Sequence, residues 1–198
     1  MNAGAPRVPT RLIDVLRLPD GRRVTLRPVL PQDGELQQQL VRSLSPASRT
    51  QRFFAPIREL PRDWLERMTL VDHDRHVALV AESFDADGGA IAVGEARYVV
   101  GADAASAEFA LAVADDWQRL GIGARLLASL RDHARSVGLE RLEGEVRCGN
   151  HAMLQLARRL GFALRAHPLD ARLVQVVAAL RTGATAAAPS AASVSAAA

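Results

Sequence analysis

A carboxylate in an apolar strand is the side chain of this sequence best placed to do acid–base chemistry. Glu108 lies in the alternating stretch Ser106–Val113, on the strand face that it shares with Ala110 and Ala112. The two small neighbours leave room for a substrate beside the carboxylate. Partial burial raises the pKa of a carboxyl group towards the range in which it serves as a general base.

A glycine-containing turn follows this strand and precedes a long amphipathic pattern. Gln118, Gly121 and Gly123 have the spacing Gln-x-x-Gly-x-Gly, and apolar residues then recur at helical intervals up to Val137. At the start of a helix, N–H groups without partners and the positive end of the helix dipole favour a bound phosphate or diphosphate. The pattern lacks the Lys-Ser/Thr of a P-loop and the third glycine of a dinucleotide fold.

This turn resembles the acetyl-CoA diphosphate loop of the GCN5-related N-acetyltransferase (GNAT) family. Asn150-x-x-Met153-Leu154-x-Leu156-Ala157-x-x-x-Gly161-Phe162 is similar to the second cofactor segment of that family. Further segments resemble the acetyltransferase domain of bacterial Pat-type protein lysine acetyltransferases, and the likeness covers roughly Leu12 to Val177. These segments are Leu26-Arg27-Pro28, Leu44-Ser45-Pro46-x-Ser48-Arg49, Arg52-Phe53-Phe54, Asp74 to Ala81 and Ala107-Glu108-Phe109-Ala110.

The resemblance implies an enzyme that transfers an acetyl group from acetyl-CoA to an amine, most often a protein lysine, without a metal. It implies that Glu108 is the general base, that Asn150 hydrogen-bonds to the pantetheine arm, and that backbone groups of residues 111–113 pair with the same arm. The cofactor-binding residues are then expected to be Leu111, Ala112, Val113, Gln118, Arg119, Leu120, Gly121, Ile122, Gly123, Ala124 and Asn150.

Each of these assignments has a structural alternative. Glu108 can instead pair with an arginine such as Arg97 on a neighbouring strand, and Gln118 and Arg119 can belong to a solvated loop. Asn150 can cap the helix that follows it, which is compatible with a cofactor contact. Where many relatives carry a tyrosine as general acid this chain has Ala157, so no tyrosine acid is predicted; Pat-type domains share that absence.

Two other sets of residues are expected to be structural. The group Asp72, His73, Asp74 and His76 matches no zinc spacing and is interpreted as a loop that enters a strand. The single cysteine, Cys148, excludes an internal disulfide and is expected to be a small buried residue. Core packing is the expected role of Phe53 and Phe54, which follow Arg52 on the acceptor side.

Composition limits the other function classes. The chain has 198 residues, a net charge of +3 and a sequence pI of about 10.2, with arginine but no lysine. The arginines are scattered and aromatics make up 4% of the chain, which does not favour nucleic-acid binding. No secretory signal or membrane-length apolar run is seen, so a cytoplasmic protein is expected. The oligomeric state, monomer or dimer, stays open.

Periodicity and turn residues predict an α+β (α/β layered) domain. Helices are expected from Pro31, Pro46, Leu60-Pro61, Gly121 and Asn150. Strands are expected over Leu12–Leu18, Arg22–Val29, His76–Phe84, Ala90–Val100, Ser106–Val113, Leu139–Arg147, Ala163–Leu169 and Arg172–Leu180. The resemblance implies the GNAT fold, with a mixed, mostly antiparallel sheet that splays at the acetyl-CoA site. Residues 1–10 and the Ala/Ser-rich 181–198 are expected to be disordered around a domain at 11–180.

Three other functions remain open at this stage. The acceptor can be a small amine or a protein N-terminus instead of a lysine. The domain can also be a non-catalytic acyl-CoA-binding regulatory module. The loops between Ser45 and Asp74, which border the acceptor side, contain no motif that identifies the acceptor.

Overall fold

The computed structural model describes residues 9–180 of the chain. The predicted disorder of residues 1–10 and 181–198 therefore falls outside the described part, except for residues 9 and 10. A short 3-10 turn, Thr10–Leu12, occupies the start of the predicted first strand. Within residues 9–180 the structure contains no helix with the length and apolar character needed to span a bilayer.

The remaining elements follow the predicted order, and three central strands have the predicted bounds. The helices are α1 (Gly34–Ser43), α2 (Pro46–Phe53), α3 (Arg62–Thr69), α4 (Ile122–Ser136) and α5 (His151–Arg159). The strands are β1 (Asp14–Arg17), β2 (Arg23–Pro28), β3 (His76–Phe84), β4 (Ala90–Val100), β5 (Ser106–Val113), β6 (Arg141–Arg147), β7 (Ala163–Ala166) and β8 (Leu173–Ala179).

In residues 9–180 all eight strands form one open sheet in the order β1-β2-β3-β4-β5-β6-β8-β7. Every neighbouring pair is antiparallel except β5 and β6, which are parallel because α4 connects them. The predicted mixed, mostly antiparallel sheet is thus confirmed. It carries helices on both faces: Val77 and Leu79 of β3 pack in the same core as Leu126 of α4, whereas Val80 packs with Leu40 of α1.

The sheet splays between the two parallel strands. β5 and β6 pair only from Ser106↔Arg141 to Glu108↔Glu143, although both strands continue beyond that point. The ring of Phe109 lies where they begin to part: a Cβ added at Gly144 would lie 3.0 Å from Phe109 Cε1. Only glycine fits there without displacing the ring. The splay leaves one edge of β5 unpaired over its last residues.

The only tyrosine of the chain is buried in the core beneath α4. Tyr98 Oη lies 2.7 Å from His133 Nδ1, and both side chains are almost fully inaccessible. Burial lowers the pKa of His133 to about 4. Tyr98 is therefore a core hydrogen-bonding partner of His133.

The depressed pKa of His133 predicts a loss of stability in acid. Unfolded histidine binds a proton below about pH 6.5 and the folded one only below about 4, so the unfolding free energy falls as the pH drops through that window. The expected contribution is about 3 kcal/mol at most. Chemical unfolding at several pH values measures it. His133→Gln retains a hydrogen-bonding partner for Tyr98 and should reduce the difference in unfolding free energy between pH 6.5 and 4. An unchanged dependence of the unfolding free energy on pH would contradict the assignment.

Candidate active site

Two cavities meet at the splayed end of β5. The larger, of about 480 Å³, lies between β5, α4 and α5 and is called the α4 cleft below. The smaller, of about 300 Å³, is lined by Glu108 and is called the Glu108 pocket. Five residues line both cavities and define the junction: Gln51, Arg52, Leu111, Asn150 and Met153.

The N-terminus of α4 forms one end of the cleft. Arg119 and Gly121 have positive φ values, +60° and +89°, which turn the chain sharply before Ile122 begins the helix. The N–H groups of the first turn then point out of the helix without partners inside it. Arg119 and Arg159 add cationic side chains to the same cleft. This end of the cleft fits a diphosphate.

The unpaired edge of β5 forms one wall of the α4 cleft. Ala114 N donates to Val93 O of β4, and hydrogen-bonded pairs alternate along an antiparallel ladder. The backbone groups of Ala112 therefore bond to β4, whereas those of Leu111 and Val113 face the cleft. Val113 O accepts a hydrogen bond of 3.1 Å from Gln118 Nε2. An extended ligand can thus hydrogen-bond to this edge as an added strand does.

Helix α2 closes the junction from above because Asp115 holds its N-terminus. The Asp115 carboxylate accepts hydrogen bonds of 2.8–2.9 Å from Ser45 N, Ser45 Oγ and Ser48 Oγ. Burial opposes ionisation there, but these donors keep the pKa of Asp115 below its ordinary value. Ser45 also caps α2 as predicted, since its Oγ accepts from Ser48 N. The turn before α4 and the helix that carries Arg52 are consequently held together.

Asn150 caps α5, the structural alternative that the sequence left open, and it also lines both cavities. Its Oδ1 accepts from Met153 N at 3.1 Å and caps α5. Its side-chain amide nitrogen has no hydrogen-bond partner among residues 9–180, and the residue lines both cavities. The cap therefore orients the amide and leaves a donor available at the junction.

Most of the residues predicted to bind the cofactor line the α4 cleft, and two do not. Ile122 is 1% exposed and packs in the core beneath α4, with Leu120 against the same core. These two can contribute only backbone N–H groups. The predicted residues that line the cleft are Leu111, Ala112, Val113, Gln118, Arg119, Gly121, Gly123, Ala124 and Asn150.

Two helices supply cleft residues that were not among the predicted cofactor-binding residues. From α2 come Ser48, Gln51 and Arg52, which are distant in sequence from every glycine motif. From α5 come Ala152, Gln155, Leu156 and Arg159, spaced as one face of a helix. The α5 pattern is visible in the sequence, but it carries information only once α5 is known to flank the cleft.

Glu108 lies in the smaller pocket, where its side chain is partly exposed and partly covered by neighbouring residues. In the described part of the chain it has no hydrogen-bond donor and no ion-pair partner. Partial burial, and then the charges of Glu145 and Glu143, raise the pKa of Glu108, while Arg52 opposes this rise. Glu143 is its register neighbour on β6. A carboxylate with a raised pKa and a free lone pair can accept a proton from a bound group.

The alternative pairing of Glu108 with Arg97 is wrong. Arg97 is buried and forms an ion pair with Glu95, and its Nη1 also donates to Met68 O at 3.2 Å. Arg52 binds the other Glu95 oxygen at 2.6 Å. Burial would raise the pKa of Glu95, but Arg97 and Arg52 lower it to about 2. Arg97 and Arg52 therefore both bind Glu95, and neither forms an ion pair with Glu108.

The loop before β3 has the structural role that was predicted. Asp72 Oδ1 accepts from the backbone N–H groups of Asp74, Arg75 and His76, which fixes the entry into the strand. No group of three or more His, Cys, Asp or Glu side chains in residues 9–180 is arranged to hold a metal.

Two side chains differ from the prediction. Cys148 is exposed, because β6 ends at Arg147 and the cysteine falls in the following turn. Phe53 packs in a core cluster as expected, but Phe54 is 45% exposed and lines the Glu108 pocket. The reason is its left-handed conformation, φ +55°, which ends α2 and turns the ring away from the core.

Comparisons with known proteins identify the family. Residues 39–162 match the model of the acetyltransferase (GNAT) family. The chain is 35% identical over 157 residues to Acetyltransferase PA5475 of Pseudomonas aeruginosa, covering 79% of this chain and 84% of that protein. It is 38% identical over 138 residues to Acetyltransferase Pat of Mycolicibacterium smegmatis, covering 69% of this chain but only 40% of Pat.

A solved structure agrees with both relatives. The crystal structure of the GNAT domain of S. lividans PAT superposes with a TM-score of 0.78 at 26% identity, covering 87% of this chain and 99% of that domain. The splayed sheet, the turn before α4 and the Pat-like segments are thus accounted for together: this chain belongs to the GNAT family of acetyltransferases.

Proposed function

We propose that this protein transfers the acetyl group of acetyl-CoA to an amine, most favourably a protein lysine, with Glu108 as general base. The observation that carries the proposal is the position of Glu108. Its carboxylate lies free in a pocket that meets the α4 cleft, at the point where a thioester and an amine can approach each other.

The α4 cleft fits acetyl-CoA. Its N–H groups at the start of α4 and the guanidinium groups of Arg119 and Arg159 suit the diphosphate. The open backbone edge at Leu111 and Val113 suits the amide groups of the pantetheine arm. The arm would then lead towards the junction with the Glu108 pocket, where Asn150 offers a further donor.

The chemistry requires a neutral amine. A lysine ammonium has a reference pKa of about 10.4, so a base must accept its proton at neutral pH. The amine nitrogen then attacks the thioester carbon, a C–N bond forms and the C–S bond breaks. The proton lost by the amine goes to Glu108, directly or through water. The attacking nitrogen still carries a second proton to be lost, and coenzyme A leaves as a thiolate that takes this proton directly or through solvent. Tyr98 does not supply it, because its hydroxyl is buried against His133.

Charge in the Glu108 pocket supports a cationic acceptor. His167 Nδ1 accepts from Leu169 N and Asp170 N, so its hydrogen is on Nε2, which lies 3.0 Å from Glu145 Oε1. Among residues 9–180 Glu145 forms no ion pair with an arginine. The pocket therefore combines carboxylates with the exposed rings of Phe54 and Trp64. That combination suits an ammonium group on an alkyl chain.

The test compares acceptors under identical conditions. Acetyl-CoA is supplied with a lysine peptide whose N-terminus is blocked, with a lysine-free peptide whose N-terminus is free, and with a small amine such as spermidine. Mass spectrometry locates the acetyl group. Acetylation of the lysine peptide at the highest kcat/KM supports the proposal. Preference for another amine would reassign the acceptor, and cofactor binding without any product would favour the regulatory module.

The acidic pocket makes a separate prediction about acceptor binding. Glu145→Gln should raise the KM for the lysine peptide about 3-fold to 10-fold, because one attractive charge is lost near the solvent surface. The KM for acetyl-CoA should not change. Steady-state kinetics measures both KM values. Glu59→Gln is the control, because it also removes one exposed carboxylate. Equal effects of the two substitutions would contradict a specific role of Glu145.

A further inference from the structure

We propose that Arg52 is a second catalytic residue, whose guanidinium Nη1 donates a hydrogen bond to the carbonyl oxygen of the thioester. This inference rests on the proposed function and names the group that stabilises negative charge during transfer. It adds a side-chain donor to the backbone donors that the unpaired edge of β5 offers.

Arg52 lies where the acetyl group must be transferred. An acetyl group must pass from the α4 cleft to the Glu108 pocket, so it must lie where the two cavities meet. Arg52 is the one charged side chain among the five that line both cavities. It is also close enough to Glu108 to oppose the rise of that carboxyl pKa.

The guanidinium group of Arg52 is held in place on two sides. Arg52 Nη2 binds Glu95 Oε1 at 2.6 Å, and Glu95 itself is 2% exposed and held by Arg97 through its other oxygen. The guanidinium also lies over the Phe53 ring, with Cζ 4.7 Å from the ring centre. A donor held on two sides requires little reorganisation when charge develops beside it, which is the condition for effective electrostatic stabilisation.

Arg52 also has a hydrogen-bond donor, Nη1, that no group among residues 9–180 uses. Arg52 Nε is buried without a partner, and Nη2 is occupied by Glu95. Among residues 9–180 Nη1 has no hydrogen-bond partner either, yet it is absent from the buried unpartnered atoms, so it is open to the cavities. Nη1 is thus a donor with no acceptor among residues 9–180, at the place where the two cavities meet, and a ligand oxygen can accept a hydrogen bond from it.

Negative charge forms on the thioester oxygen during acetyl transfer and is lost again when coenzyme A leaves. As the amine nitrogen forms a bond to the carbonyl carbon, the C=O electron pair moves to oxygen, where Arg52 Nη1 and a backbone N–H of β5 stabilise it. When that pair returns and restores C=O, the C–S bond breaks and its electrons leave on the coenzyme A sulfur. Arg52 gives up no proton at any point, since a guanidinium stays protonated in proteins.

Kinetics of Arg52→Gln and Arg52→Lys provide the first test, with Arg42→Gln, a surface arginine in exposed ion pairs, as the matched control. We expect Arg52→Gln to lower the plateau kcat by about 10²-fold to 10³-fold, with the KM for acetyl-CoA nearly constant. Arg52→Lys should recover part of the rate. If Arg52 acted only through Glu108, the acidic limb of the pH–rate profile would move while the plateau stayed unchanged, and this result would overturn the proposal.

A spectroscopic readout is independent of turnover. Isotope-edited infrared difference spectra of acetyl-CoA labelled with ¹³C at the carbonyl, bound without acceptor, report the hydrogen bonding of that oxygen. The wild-type band should lie at lower frequency than the Arg52→Gln band; coincident bands would refute the contact. If calorimetry finds that Arg52→Gln no longer binds acetyl-CoA, the residue is a binding residue and the proposal also fails. A wild type that binds acetyl-CoA but acetylates no amine would instead refute the proposed function.

Discussion

Replacing Glu108 with glutamine is expected to lower kcat by about 10²-fold to 10⁴-fold, the usual contribution of a positioned general base. The substitution keeps the size and the polar end of the side chain but removes its capacity to accept a proton. Glu108 has no partner in the described structure, so the fold should be little affected. Acetyl-CoA affinity, measured by calorimetry, should stay at the wild-type value because the cofactor would bind in the adjoining cleft.

The pH dependence distinguishes a base from a merely polar residue. The ionised form of Glu108 is active, so the wild-type rate should fall as the pH drops through the raised pKa of Glu108. This limb should be absent in Glu108→Gln. Glu143→Gln removes a charge that raises the same pKa, so its limb should move to lower pH. If Glu108→Gln keeps the full rate, or keeps the acidic limb of the wild-type profile, another group accepts the proton.

Replacing Gly121 with valine is expected to weaken acetyl-CoA binding about 10-fold to 100-fold. Gly121 has φ +89° and no heavy atom within 4 Å of its would-be Cβ, so backbone conformation rather than space requires glycine. Holding a non-glycine residue there costs about 1–3 kcal/mol. The free turn can relax to avoid this strain, and the ligand must then restore the conformation, at about 1.4 kcal/mol for each tenfold loss of affinity. Calorimetric titration with acetyl-CoA measures the effect.

Gly88 offers a matched control for that substitution. It has φ +82°, lies in the turn between β3 and β4, and likewise has nothing within 4 Å of an added Cβ. Gly88→Val should therefore lower the stability by a comparable amount while leaving acetyl-CoA affinity unchanged. If both variants lose the same affinity, the loss reflects general destabilisation and the turn before α4 does not bind the diphosphate.

Local patterns predicted the elements of this fold well. β3, β4 and β5 have the predicted bounds because their apolar runs end in turn residues. Ser45 caps α2 as predicted, and Asn150 caps α5 as its structural alternative allowed, since a side-chain oxygen next to its own helix needs no distant partner. The prediction for Cys148 was wrong because residue type alone does not tell where β6 ends. The prediction for Phe54 was wrong because its residue type does not indicate that it ends α2 in a left-handed conformation.

The sequence predicted the strand, the turn and the helix that form the candidate cofactor site, since their signals lie within one stretch from Ser106 to Ser136. It also singled out Glu108 and, through several separate segments, the GNAT family. The splay of β5 from β6 was expected only through the family resemblance and from no local pattern. The burial of Glu95 between two arginines and the meeting of Arg52 with Leu111 and Asn150 became apparent only in the tertiary structure. These features depend on which distant segments pack together, and no spacing along the chain encodes the direction in which two strands separate.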